Sequence, residues 1–207
     1  AFAGQEFEAS LHKIDGHKPV LPDAAAAQAV VDAVRATPFV VSSVEKKQRR
    51  KKPGAPFTTS TLQQEAAKKL GFSSRRTMRA AQDLYEGIEI GEDGQTGLIT
   101  YMRTDSVRVS DAAIASVRDF IGKQYDKRYL PDAPNTYSTR KAVRTQDAHE
   151  AVRPTDVMRR PEQLQRYLEP DQYRLYQLIW QRFVASQMTP AVYDMTIVDF
   201  HLGRYLF

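Results

Sequence analysis

A tyrosine and an arginine two positions apart, Tyr101 and Arg103, are the residues whose types and spacing could carry chemistry. In an extended segment both side chains point to the same face, because side chains alternate along a strand. A phenol is a weak nucleophile at neutral pH since its pKa is about 10. A neighbouring guanidinium favours the phenolate and can donate two hydrogen bonds to a phosphate. The pair therefore suits phosphoryl transfer, although spacing alone favours a core tyrosine beside a surface arginine.

Helices are predicted around this pair wherever a capping residue precedes apolar residues at helical spacing. They cover residues 24–36 after Asp23, 62–70 after a Ser60–Gln63 capping box and before Gly71, and a helix that Ser74 caps and that runs to about Glu86 and stops at Gly87. Ser110 caps a further helix with Ile114, Val117 and Ile121 on one face, a short helix around His149 ends before Pro154, and the last helix runs from about 171 to 187. The last of these carries an aromatic stripe, which fits a core-facing side better than a platform for stacking bases. The stripe consists of Tyr173, Tyr176, Trp180 and Phe183.

Strands are predicted near both ends of the chain, where apolar residues recur with a period of two. They cover residues 7–14, 39–44 and 192–200, and a short buried strand is predicted at 98–102. Pro53, Gly54 and Pro56 interrupt any regular element. The sequence therefore predicts an α+β fold, in which a mainly helical domain at 57–188 is inserted in an incomplete β-rich domain built from residues 1–56 and 189–207. The glycine-rich stretch at 88–96 is expected to be a flexible flap or an insertion.

The charge of the chain indicates a polyanionic partner, because the net charge is +5 and the pI is near 9.4. A basic block at 46–52 is expected to be a solvated hairpin or linker with a minor electrostatic role. Arg75, Arg76 and Arg79 start a predicted helix and oppose its dipole. They are expected either to face DNA phosphates or to form a solvated face. No apolar run approaches the roughly 20 residues of a membrane span, and no leader pattern or cysteine is present, so a cytoplasmic protein is expected.

Four segments resemble the bacterial type IA DNA topoisomerases, in the order in which that family has them. Residues 97–106 (GLITYMRTDS) are similar to its active-site tyrosine motif. The others are residues 53–64 (PGAPFTTSTLQQ), 146–154 (QDAHEAVRP), and 175–180 with 187–190 (LYQLIW and QMTP). The methionine at position 102 makes the tyrosine motif similar to that of the topoisomerase I branch, since proline is expected in the motif of the topoisomerase III branch.

The resemblance implies that Tyr101 attacks a phosphodiester in single-stranded DNA and forms a 5′-phosphotyrosyl link. Strand passage and religation would then relax negative supercoils without ATP. It also implies that Arg103 stabilises the charged phosphate, that Asp105 and Thr100 orient their neighbours, and that His149 and Arg153 touch the DNA backbone. A structural role is the alternative for His149, and favourable interaction with a helix dipole is the alternative for Arg153.

The family fold implied by the resemblance is a helical domain on a β arch, which together form part of a toroid. Mg²⁺ would be held by acidic residues of a separate domain, so the 207-residue chain alone is expected not to relax DNA. The expected partners are DNA, chiefly single-stranded segments of negatively supercoiled duplex, and the remaining domains of the same polypeptide, in the bacterial nucleoid. Two alternatives stay open: a non-catalytic nucleic-acid-binding module with a structural Tyr101, and a tyrosine recombinase or type IB-like enzyme that forms a 3′-phosphotyrosyl link.

Overall fold

The computed structural model describes residues 6–137 and 149–207. Its helices and strands, in chain order, are β1 (Lys13–Ile14), α1 (Ala24–Ala36), β2 (Val40–Lys51), α2 (Thr59–Leu70), α3 (Ser74–Glu86), β3 (Ile88–Glu89), β4 (Gln95–Thr96), α4 (Asp111–Gln124), α5 (Pro161–Leu164), α6 (Pro170–Ser186), β5 (Ala191–Leu202) and β6 (Tyr205–Leu206). The chain divides into two compact units, residues 1–51 with 192–207 and residues 52–191. The predicted α+β class is confirmed.

The first unit is a four-stranded sheet in the order β1-β6-β5-β2, accompanied by α1. Helix α1 has the predicted bounds, because the carboxylate of Asp23 accepts from the Ala26 N–H at 2.8 Å. The strand predicted at 7–14 is wrong except for its last two residues. Phe7 instead stacks on Phe200, with ring centroids 5.4 Å apart.

The basic block does not form a hairpin or linker, because it continues the predicted strand at 39–44. Strand β2 runs without interruption to Lys51, and all twelve of its residues are exposed. It is an edge strand, and Gln48 donates a side-chain hydrogen bond to Asp194 of β5 at 3.0 Å. Exposed charged side chains are compatible with an edge strand, since they need no burial.

The second unit is built around α2, α3 and α6, whose apolar faces enclose one core. Tyr176, Trp180 and Phe183 of α6 are buried in the core, and Tyr173 is partly buried and packs against it, which confirms that the aromatic stripe faces the core. The indole N–H of Trp180 donates to the Val157 carbonyl at 2.9 Å, so its one polar atom is satisfied inside the core.

Two helix starts differ from the sequence prediction. Helix α2 is capped by Thr58, two residues earlier than predicted, since Thr58 and Thr61 form the reciprocal capping box. Helix α3 is capped by Ser73, whose hydroxyl accepts from the Arg76 N–H at 3.2 Å. Helix α2 ends at Gly71 as predicted, because its φ of 70° is a left-handed conformation that favours glycine.

Two further local predictions were wrong. Residues 149–154 are extended and not helical, and they form isolated bridges from Val152 to Phe57 and from Pro154 to Ile99. Residues 98–102 form no strand beyond the Ile99 bridge, and only Leu98, Ile99 and Met102 among them are buried. The glycine-rich stretch is a short β3–β4 hairpin, held by an Asp93–Arg159 ion pair at 3.2 Å. Within the described residues, no helix has the length and apolarity to cross a membrane.

Candidate active site

The site is centred on residues 97–106, which we call the tyrosine segment. Side chains alternate between solvent and core over its residues 101–106: Tyr101 is 45% exposed, Met102 is fully buried, and Arg103 is exposed. Thr104 and Ser106 continue the buried side, and Asp105 lies on the exposed side. Tyr101 and Arg103 therefore share the solvent face, and the interpretation of Tyr101 as a core tyrosine is wrong.

The first residue of α2, Thr59, holds one side of the tyrosine segment. Its backbone N–H donates to the Thr104 carbonyl at 2.9 Å. Its hydroxyl donates to the Met102 carbonyl at 2.7 Å and accepts from the Thr104 N–H at 2.8 Å. Nothing in the sequence singles out Thr59, because a threonine beside a helix cap is expected to serve the helix.

The other side of the tyrosine segment is held by residues 149–155, which we call the return segment. The Thr100 hydroxyl donates to the Ala151 carbonyl at 2.7 Å and accepts from the Arg153 N–H at 3.0 Å. The Thr100 N–H also donates to the Arg153 carbonyl at 2.9 Å. The Thr155 N–H donates to the Leu98 carbonyl at 3.0 Å. Thr100 thus directly fixes the backbone next to Tyr101.

The last turn of α3 closes the site from a third direction. The Leu98 N–H donates to the Leu84 carbonyl at 2.7 Å. Gly97 lies so close that an added Cβ would be 2.9 Å from the Tyr85 carbonyl oxygen, a distance that real Cβ atoms essentially never show. The Tyr85 ring lies 5.2 Å from the Tyr101 ring. Nothing in the sequence distinguishes Tyr85 from other exposed tyrosines, so its place beside Tyr101 is a finding of the structure.

A largely buried ion pair lies within the return segment. The Glu150 carboxylate accepts from the Arg153 guanidinium at 2.6 and 2.8 Å, and its other oxygen accepts from the Ser110 N–H at 3.0 Å. Burial alone would raise the pKa of Glu150, but the charge of Arg153 and the hydrogen bonds from Ser110 and Arg153 outweigh it and lower that pKa. Ser110 therefore begins α4 through a bond to Glu150, and its own side chain makes no cap.

His149 is the first described residue of the return segment and is exposed. It lies two residues before Ala151, whose carbonyl is bound by Thr100. The three residues that precede His149 in its sequence motif lie outside the described part of the chain. The structure thus brings His149 into the segment that contacts the neighbour of Tyr101.

The arginines of α3 lie on a separate surface. Arg76 forms a bidentate pair with Asp171 of α6, with both distances at 2.6 Å, and its guanidinium lies 4.3 Å from the centre of the Phe72 ring. The hydrogen bond from Arg76 lowers the pKa of Asp171. Arg75 and Arg79 are exposed and line a shallow surface pocket together with Arg76 and Asp171. No hydrogen bond or ion pair among the described residues joins this surface to Tyr101.

The described residues contain no group of three or more histidine, aspartate or glutamate side chains that could hold a metal ion. The solvent-facing pair of Tyr101 and Arg103 is a feature able to do chemistry. An exposed phenol and an exposed guanidinium on a backbone held from three directions could supply a nucleophile and a phosphate ligand, as in the class of proteins that act on phosphates through a tyrosine.

Comparison with known proteins agrees with this class. The family model described as DNA topoisomerase matches residues 4–207. The chain is 49% identical to DNA topoisomerase 1 of Xylella fastidiosa (strain 9a5c), over 99% of this chain and 26% of that protein. It is 51% identical to DNA topoisomerase 1 of Rickettsia typhi, over 78% of this chain and 20% of that protein. The solved full-length topoisomerase I of Thermotoga maritima matches with a TM-score of 0.71 and 41% identity, over 89% of this chain and 29% of that chain.

The chain therefore belongs to the bacterial DNA topoisomerase family, of the type IA class that its tyrosine motif resembles. It spans about a quarter of the length of the curated relatives it matches. The resemblance found in the sequence is confirmed.

Proposed function

We propose that Tyr101 is the nucleophile with which a type IA DNA topoisomerase cleaves one DNA strand. The observation that carries the proposal is the exposed pair of Tyr101 and Arg103 on a segment hydrogen-bonded along both sides. A nucleophile must be accessible, yet its backbone must be held in place, because misplacement by about 1 Å can cost a hundredfold in rate. The DNA topoisomerase 1 relatives support the reaction class.

In the proposed step, the Tyr101 phenolic oxygen attacks phosphorus and the bond from phosphorus to the 3′-oxygen breaks. The phenol loses its proton to solvent or to a base, and the departing 3′-oxygen takes up a proton. One phosphodiester is exchanged for another, so religation by the 3′-hydroxyl needs no ATP. Arg103 would stabilise the charge that develops on the phosphate oxygens. Thr100 would hold Tyr101 through the backbone, and Asp105 would orient groups on the same exposed face.

The residues proposed to contact DNA differ in whether their side chains already form ion pairs within the chain. Arg75 and Arg79 are exposed cations, and His149 is an exposed side chain next to the site. Arg76 and Arg153 already bind Asp171 and Glu150. If Arg76 or Arg153 contacts a phosphate, it would use guanidinium N–H groups that are not bonded to its carboxylate partner.

Activity is proposed for a polypeptide of the relatives' length that carries this chain, hereafter the full-length polypeptide. Magnesium would be needed there, with ligands outside this chain. The substrate of the full-length polypeptide would be single-stranded segments of negatively supercoiled DNA in the bacterial cytoplasm. Residues 57–188 would form the moving domain, and residues 1–56 with 189–207 would form the β arch. Domain motions of this kind use a few loop residues as hinges.

Covalent trapping tests the proposal. The full-length polypeptide is incubated with end-labelled single-stranded oligonucleotide and denatured, alongside its Tyr101→Phe and Tyr85→Phe variants. We expect an adduct through the 5′-phosphate in the wild type and in Tyr85→Phe, and none in Tyr101→Phe. An adduct through a 3′-phosphate would favour the recombinase or type IB alternative, and adduct formation by Tyr101→Phe would leave Tyr101 a structural residue.

Relaxation of supercoiled DNA by the 207-residue chain alone, with Mg²⁺, is a second test. We expect none. Relaxation by the isolated chain would contradict the proposal that the magnesium ligands lie elsewhere.

A further inference from the structure

We infer that Thr59 is a positioning residue for strand cleavage, acting through the backbone on either side of Arg103 and next to Tyr101. The inference rests on the proposed function of Tyr101. Thr59 lies 42 positions before Tyr101 in the sequence, and its hydrogen bonds to Met102 and Thr104 depend on the tertiary fold.

The Thr59 hydroxyl uses its proton and one of its two lone pairs on the tyrosine segment. Its proton goes to the Met102 carbonyl at 2.7 Å, and an oxygen lone pair receives the Thr104 N–H at 2.8 Å. A hydroxyl has one donor and two acceptor positions, so these contacts take its only proton. Met102 and Thr104 flank Arg103, and Met102 directly follows Tyr101. One side chain thus fixes both peptide groups that flank Arg103.

The position of Thr59 is itself well determined. It is the first residue of α2, where backbone N–H groups have no intrahelical partner. Its N–H instead donates to the Thr104 carbonyl at 2.9 Å. The capping box of Thr58 and Thr61 holds the same helical turn. The start of α2 is therefore a rigid support for the tyrosine segment.

Removing the hydroxyl would leave the Thr104 N–H and the Met102 carbonyl without their partner. Both residues are almost fully buried, so water cannot readily replace the lost hydrogen bonds. The segment would have to shift to satisfy these groups, and the side chains on its exposed face, Tyr101 and Arg103, would shift with it. The expected result is slower chemistry at unchanged DNA affinity, because Thr59 is separated from the exposed face by the segment itself.

The test compares Thr59→Val, which keeps the shape but not the hydroxyl, with Thr59→Ser, which keeps the hydroxyl. Single-turnover adduct formation and religation are measured in the full-length polypeptide on an end-labelled oligonucleotide. We expect Thr59→Val to slow both directions by about tenfold or more, with the oligonucleotide Kd unchanged. Thr59→Ser should recover most of the rate. A group that stabilises the transition state affects cleavage and religation equally. Its loss should therefore slow both reactions and leave the fraction of adduct at equilibrium unchanged.

Thr77→Val is the matched control, since among the described residues the buried Thr77 hydroxyl bonds only the carbonyl of Ser73, the cap of its own helix, at 3.0 Å. It should unfold more easily but cleave at the wild-type rate. Wild-type rates in Thr59→Val, or equal slowing in Thr59→Ser or in Thr77→Val, would overturn the inference while Tyr101 keeps its role. If the wild type forms no adduct through Tyr101, the proposed function fails, and this inference with it.

Discussion

The rings of Tyr85 and Tyr101 lie against each other, with centroids 5.2 Å apart and planes inclined by 60°. Both side chains are nearly half exposed, so the contact restricts the Tyr101 ring without covering it. Such aromatic pairs contribute about 0.5–1.5 kcal/mol. We expect Tyr85→Ala to slow adduct formation by about two- to tenfold in single-turnover assays. Tyr85→Phe should be close to wild type, because the ring contact does not need the hydroxyl, and a Tyr85→Ala variant with the wild-type rate would show that the contact is incidental.

Thr100→Val should loosen the junction between the tyrosine and return segments. The variant loses the bond to the Ala151 carbonyl and leaves the half-buried Arg153 N–H without its acceptor. An unsatisfied group of this kind costs about 1–3 kcal/mol. We expect a lower free energy of unfolding in urea for the 207-residue chain and faster hydrogen exchange at Arg153. Thr100→Ser retains the hydroxyl and is the control, and equal stability of the Val and Ser variants would contradict the role given to this hydroxyl.

The three arginines of α3 should separate into two kinds. Arg76→Gln loses its pair with Asp171 and should reduce stability slightly, since the pair is exposed and screened by salt. Arg75→Gln and Arg79→Gln should leave stability unchanged. Each should weaken oligonucleotide binding and lower the slope of log K against log salt by about 0.7. Unchanged affinity and slope in both variants would place Arg75 and Arg79 on a merely solvated face.

Glu150 should make the stability of the second unit depend on pH. Its folded-state pKa lies below its ordinary value of 4.5, because Arg153 and Ser110 favour the carboxylate. Its contribution to stability is therefore fully present above the unfolded pKa and is lost as pH falls through the folded pKa. We expect the free energy of unfolding to fall on acidification below about pH 4.5, less steeply in Glu150→Gln than in the wild type. Identical slopes in the two proteins would contradict the assignment.

Gly97→Ala should disturb the site by sterics alone. The added Cβ would lie 2.9 Å from the backbone oxygen of Tyr85, so α3 and the tyrosine segment would have to separate. We expect a loss of about 1–3 kcal/mol in the free energy of unfolding, together with slower adduct formation. Gly122→Ala is the control. Gly122 lies inside α4, and an added Cβ there would make an ordinary 3.5 Å contact with the Leu130 side chain. It should be neutral or stabilising, and a tolerated Gly97→Ala would refute the tight approach.

The sequence by itself determined the family, the α+β class and the elements with strong local preferences. Helix α1 starts at its Asp23 cap, α2 ends at a glycine in a left-handed conformation, and α6 presents an aromatic stripe to the core. These features depend on residues within a few positions of one another. The shared face of Tyr101 and Arg103 also follows from local alternation.

Only the tertiary structure decided what holds the site. The extended return segment was mistaken for a helix, because its hydrogen bonds go to Phe57 and Thr100, which are distant in sequence. The Thr59 hydroxyl and the Tyr85 ring meet the tyrosine segment through the packing of α2 and α3. Local preferences could not reveal these contacts, since backbone groups of irregular segments take whatever partners the fold brings near, and buried groups must be satisfied by some partner.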